Sequence, residues 1–102
     1  VTTIAEVSTR AMRMRMEAAE EALQVLVDRF GLDAAVARFV RVTRVQTGRF
    51  EDHADELRDG AQGPPVWRLW WERTGEYQWT MRSAWLVDLE ALGSPPAESA
   101  DQ

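Results

Sequence analysis

Residues 66–85, V-W-R-L-W-W-E-R-T-G-E-Y-Q-W-T-M-R-S-A-W, contain all five tryptophans and the single tyrosine of the 102-residue chain. Rings of this size are the largest apolar surfaces a chain can bury, and Trp and Tyr keep a polar edge that suits a half-wet contact. Any fold must therefore build its core on this stretch or present it to a partner. The segment is rich in strand formers, and Thr74-Gly75, between Arg73 and Glu76, supplies a turn. A tight hairpin closed there sets Arg73 against Glu76, Trp70 against Trp79 and Trp67 against Arg82, pairing opposite charges, ring with ring and cation with ring. A three-residue loop with Gly75 as a bulge shifts that pairing by one. The rival is a helix from Pro64-Pro65 with Trp67, Trp70, Trp71, Thr74, Gln78, Met81 and Trp85 on one face, which carries Gly75 in its interior at a cost of about 1 kcal/mol. The cross-strand agreement favours the hairpin.

The chain before this stretch reads as helical scaffold. From about Thr3 to Phe30 the apolar residues recur at steps of three and four, with Met12, Met16, Leu23, Leu26 and Phe30 forming a seam of coiled-coil type. A second row, Ala11, Met14, Ala18, Ala22 and Val25, widens the stripe, and Gly31 is placed to cap the helix C-terminus. Asp33 then stands where an N-cap belongs. Val36, Phe39, Val40, Thr43, Thr47, Phe50, Ala54 and Leu57 keep helical spacing, which predicts a second long helix interrupted near Gly48. A strand over 39–46 competes, because its β-branched residues alternate with arginine. Residues 59–65, D-G-A-Q-G-P-P, break the pattern and mark a loop. Ser83 can cap a short final helix over Ala84 to Leu92, with Gly93 as its stop. Residues 94–102, S-P-P-A-E-S-A-D-Q, read as a disordered acidic and proline-rich tail. The expected architecture is α+β: one globular domain over residues 1–93 with two long N-terminal helices, a Trp-rich β-hairpin and a short C-terminal helix. An all-α helical bundle is the alternative.

Composition narrows the chemistry. The absence of cysteine removes disulfides, thiolate metal sites and thiol nucleophiles. Lysine is absent too, which removes Schiff-base chemistry and a lysine-bearing phosphate loop. With asparagine also missing, arginine as the sole basic residue and Ile4 as the sole isoleucine, the usage fits a high-GC bacterium or its phage. No apolar run approaches the roughly 20 residues that span a bilayer, and the N-terminus lacks the pattern of a secretory signal. A cytoplasmic protein without a membrane role is the default expectation. The net charge of -5 weighs against a strongly electrostatic nucleic-acid binder.

His53, the one histidine, lies among Glu51, Asp52, Asp55 and Glu56, where a solvated helix surface accounts for it better than a metal or acid-base role. Asp52, Asp55, Glu56 and Asp59 fall on one face if this segment is helical, again as a solvated ridge. No nucleophile elbow or glycine-rich phosphate loop is present, so no catalytic residue, metal or cofactor is assigned and an enzyme is not expected. Arg38, Arg41, Arg44 and Arg49 cluster on one side of the expected second helix and carry the alternative, a nucleic-acid-binding regulator. The expected function is a non-enzymatic accessory protein that binds a protein partner through Trp67, Trp70, Trp71, Tyr77 and Trp79 with Arg73 and Arg82. The seam of Met12, Met16, Leu23, Leu26 and Phe30 offers self-association, hence a homodimer.

Overall fold

The computed structural model describes residues 3–47 and 49–93 and is an α+β fold. Helix α1 (Ile4–Phe30) is followed by a short helix α2 (Leu32–Arg38), then strands β1 (Phe39–Val45), β2 (His53–Asp59), β3 (Pro65–Gly75) and β4 (Gln78–Trp85). The strands form one antiparallel sheet in sequence order, a meander, with α1 packed across one face. Single 3₁₀ turns lie at Phe50–Asp52 and Leu89–Leu92. Gly48 and the expected disordered tail over 94–102 lie outside the described residues.

Helix α1 starts in a capping box. The Thr3 hydroxyl accepts from the Glu6 amide and the Glu6 carboxylate accepts from the Thr3 amide, which satisfies two donors that a helix start otherwise leaves open. It ends at Gly31, whose φ of 90° few other residues adopt and whose amide donates to the Val27 carbonyl. Its buried face runs Ala11, Arg15, Ala19, Ala22, Leu26, Phe30. The alanines let the helix lie close to the sheet, while Leu26 and Phe30 fill the far end against Phe39, Leu57, Val66, Trp67, Leu69 and Leu92. The core is therefore concentrated under the C-terminal half of α1.

Three expectations are corrected. The second long helix does not form. Only Leu32–Arg38 is helical, capped by Gly31 with no side-chain bond from Asp33, and residues 39–45 pair with 53–59 over seven residues. The β-branched Val40, Val42, Thr43 and Val45 are stiff at χ1 and suit a pleated surface better than a helix. Helical and strand periods coincide over so short a run. The supposed acidic ridge is consequently split: Asp55 and Asp59 share the α1-facing side with Leu57, and Glu56 turns to the opposite face. The Trp-rich hairpin does form, but its turn falls at Glu76-Tyr77, between Gly75 and Gln78, with an irregularity at Thr74. Arg73 then opposes Trp79, Trp70 opposes Arg82, and Trp67 opposes Trp85. Arg73 does not pair with Glu76 through its carboxylate. Its guanidinium donates to the backbone carbonyls of Gly75 and Glu76 at 3.0 and 2.8 Å, which braces the turn. Finally, the short C-terminal helix is replaced by β4 running on to Trp85 and a 3₁₀ turn, capped by Asp88 through the Glu90 amide rather than by Ser83.

Candidate aromatic groove

Because side chains alternate along a strand, the observed register places Trp67, Trp71, Trp79 and Trp85 on the helix-facing side and Trp70 alone on the other. Trp67 is buried in the core at 3% exposure, with Trp85 packed beside it. Further along the hairpin, α1 offers Val7, Arg10, Ala11 and Met14. The space left there is a groove of about 630 Å³ whose wall is the hairpin tip. Phe50, from the turn before β2, sets its ring edge-on to Trp71 and Trp79, with centroids 5.6 and 5.9 Å apart. Met81 and Ala11 line the groove, and Tyr77, 84% exposed, stands at its mouth. The indole Nε1 of Trp71 is buried without a hydrogen-bond partner. Arg10 lies on the rim, and Arg13 joins it in a second, smaller depression with Glu6 and Thr9. Arg10 and Arg13 make no ion pair among the described residues.

Behind the groove an ionic cluster ties α1 to the sheet. Arg15 donates two hydrogen bonds to Asp55, from Nε at 2.7 Å and from Nη2 at 3.1 Å. The Thr43 hydroxyl donates to the same carboxylate at 2.6 Å, and the Arg41 guanidinium is 3.6 Å away. Burial pushes the Asp55 carboxyl up, but the hydrogen bonds from Arg15 and Thr43 and the charges of Arg15 and Arg41 outweigh it and hold the group below its ordinary range. Asp55 is thus a fixed carboxylate with its oxygens occupied, a joint rather than a proton carrier. On the opposite face, burial raises Glu56 while hydrogen bonds from Arg68 and Arg58, with their charges, lower it further than burial raises it. At the far end, Arg38 donates twice to Asp59 and once to the Leu92 carbonyl, lying over the rings of Phe30 and Phe39. The hydrogen bond from Arg38 holds Asp59 below its ordinary range against a smaller opposing effect of burial.

The residues singled out from sequence are dispersed. Trp71, Tyr77 and Trp79 meet in the groove. Arg73, directly opposite Trp79 in the hairpin, holds its guanidinium 5.8 Å from the centre of that ring. Trp70, 36% exposed, and Arg82, paired with Glu72, occupy the opposite sheet face, and Trp67 has almost no surface to offer. Of the self-association seam, Leu26 and Phe30 belong to the internal core and Leu23 is half-buried, whereas Met12 and Met16 are exposed. The helical face meant to gather Arg38, Arg41, Arg44 and Arg49 does not exist: Arg38 ends α2, Arg41 and Arg44 point to opposite faces of β1, and Arg49 lies in a loop beside Glu51. His53 places Nδ1 against the Arg49 carbonyl, to which it donates, at 2.8 Å. Phe50, Val7 and Met14 were missed as groove residues. Arg15 and Asp55 were missed as a joint, although an arginine four residues from Ala11 and from Ala19 on an apolar helical face is a usable signal, since a buried charge demands a partner.

Among the described residues no group of three or more His, Asp or Glu is placed to hold a metal, and no helix is long and apolar enough to cross a membrane. Comparison with known proteins finds no matching family model, no matching curated protein and no matching solved structure.

Proposed function

We propose that this chain is a non-enzymatic, cytoplasmic interaction protein that receives an extended segment of a protein partner in the groove between α1 and the tip of the β3–β4 hairpin. The observation that carries this reading is the convergence of Phe50, Trp71 and Trp79 into one open aromatic floor, with Tyr77 at its mouth. Flat apolar side chains, proline among them, stack on such a floor, and an extended proline-rich segment sacrifices little conformational freedom on docking. The arginines on the rim favour a segment with net negative charge.

The test is capture of immobilised extended peptides, with and without proline and acidic residues, by the purified protein. Trp79→Ala is expected to weaken capture by about 10- to 30-fold, as truncation of a buried aromatic anchor does, while Trp70→Ala on the opposite face leaves it unchanged. Equal loss from both variants, with secondary structure intact, would overturn the assignment of the groove.

A further inference from the structure

We infer that the groove's occupant is residues 94–102 of a second copy of this chain, so that two copies exchange these segments. The inference rests on the reading of the groove as a peptide site and goes beyond it by naming the peptide. Residues 94–102 are S-P-P-A-E-S-A-D-Q. Pro95-Pro96 supplies two adjacent rings for an aromatic floor. Glu98 and Asp101 follow at short range and carry the charge opposite to that of Arg10 and Arg13, which make no ion pair among the described residues.

Reach decides that the exchange is between copies. The Leu92 carbonyl is held by Arg38, which lies over the Phe30 ring at the C-terminal end of α1. From Phe30 back to Met14 the helix is about 24 Å long at 1.5 Å per residue, and Val7 lies about 10 Å beyond that. Pro96 is four residues past Leu92, a span of at most about 14 Å even fully extended. The prolines therefore cannot enter their own groove, but nothing limits their entry into a neighbour's. Reciprocal exchange about a two-fold axis closes the assembly at two copies, and each docked segment raises the effective concentration of the other.

The experiment compares the full chain with a full-length variant carrying Pro95→Ala, Pro96→Ala and Glu98→Ala, by sedimentation velocity over a range of concentrations. The natural chain is expected to pass from one copy to two as concentration rises, and the variant to stay at one copy. A synthetic peptide of residues 94–102 is then titrated into the variant with tryptophan fluorescence as readout. It is expected to bind, about tenfold more weakly when Trp79→Ala is added, and more weakly as salt rises or when Arg10→Ala and Arg13→Ala are added. Those two surface changes keep the test informative if Trp79→Ala perturbs folding. Unchanged self-association of the variant, or a peptide that does not bind, would overturn the exchange. If unrelated acidic proline-rich peptides then still require Trp79, the groove stands and only its assignment to this segment falls. If no peptide depends on Trp79, both fall.

Discussion

Arg15 is the single charged side chain on a helix face otherwise made of alanine, leucine and phenylalanine, and it is 8% exposed. A guanidinium in that position is tolerated because Asp55 meets it with both oxygens. Asp55→Ala leaves the guanidinium buried and unpaired and is expected to destabilise the fold by about 3–5 kcal/mol, whereas Arg15→Met with Asp55→Leu recovers most of that loss; urea unfolding of the three chains checks both. The same carboxylates fix how stability responds to acid. Asp55, Glu56 and Asp59 all have folded-state pKa values below their ordinary ones. Each therefore contributes stability that is present above the unfolded-state value near 4 and is lost as pH falls through the lower folded-state value. The urea midpoint is expected to be level from about pH 5 to 7 and to drop below about pH 4. Asp55→Leu paired with Arg15→Met should shallow that drop, and an unchanged profile would show that the joint does not contribute to it.

The loop between β2 and β3 is the most exacting turn among the described residues. A Cβ added at Gly63 would land on the carbonyl oxygen of Asp59, which is backbone and cannot move aside cheaply. Gly63→Ala must open the turn, breaking the bonds from Gly63 N–H to Gly60 and from Asp59 N–H to Pro64, and is expected to cost at least about 2 kcal/mol. Gly60→Ala meets open space and carries only the strain of its φ of 89°, a cost of about 1–2 kcal/mol. Thermal melts should rank the two in that order. This turn and α1 were legible in the sequence, because Gly and Pro punctuation and a 27-residue helical period leave little choice. Residues 39–45 were not, because Phe39, Val40 and Thr43 satisfy both periods and only pairing with β2 decides between them. Nor was the hairpin register. Arg73 and Glu76 suggested a charge pair across Thr74-Gly75, but backbone carbonyls were the better acceptors for Arg73, and the turn moved outward. That shift carried Trp79 to the helix side of the sheet. With Phe50 arriving from a loop remote in sequence, the groove had no local signature at all.

On the scale of the whole molecule, α1 spans two different environments. Its C-terminal half seals the core with Leu26 and Phe30, and its N-terminal half overhangs the groove with Val7 and Met14. Stability and the proposed binding are thereby separated along one helix, so substitutions around the groove should change recognition more than folding. The meander also sets the order in which the molecule assembles. Every strand pairs with its neighbour in sequence, so the sheet can zip up hairpin by hairpin with only short stretches of chain to close. The Arg15–Asp55 joint, by contrast, spans 40 residues and is expected to form after the rate-limiting barrier. Stopped-flow measurements on Asp55→Ala should then show unfolding accelerated by nearly the full destabilisation and refolding almost unaltered. The clasp that holds helix to sheet would thus govern how long the native molecule persists, not how quickly it is made.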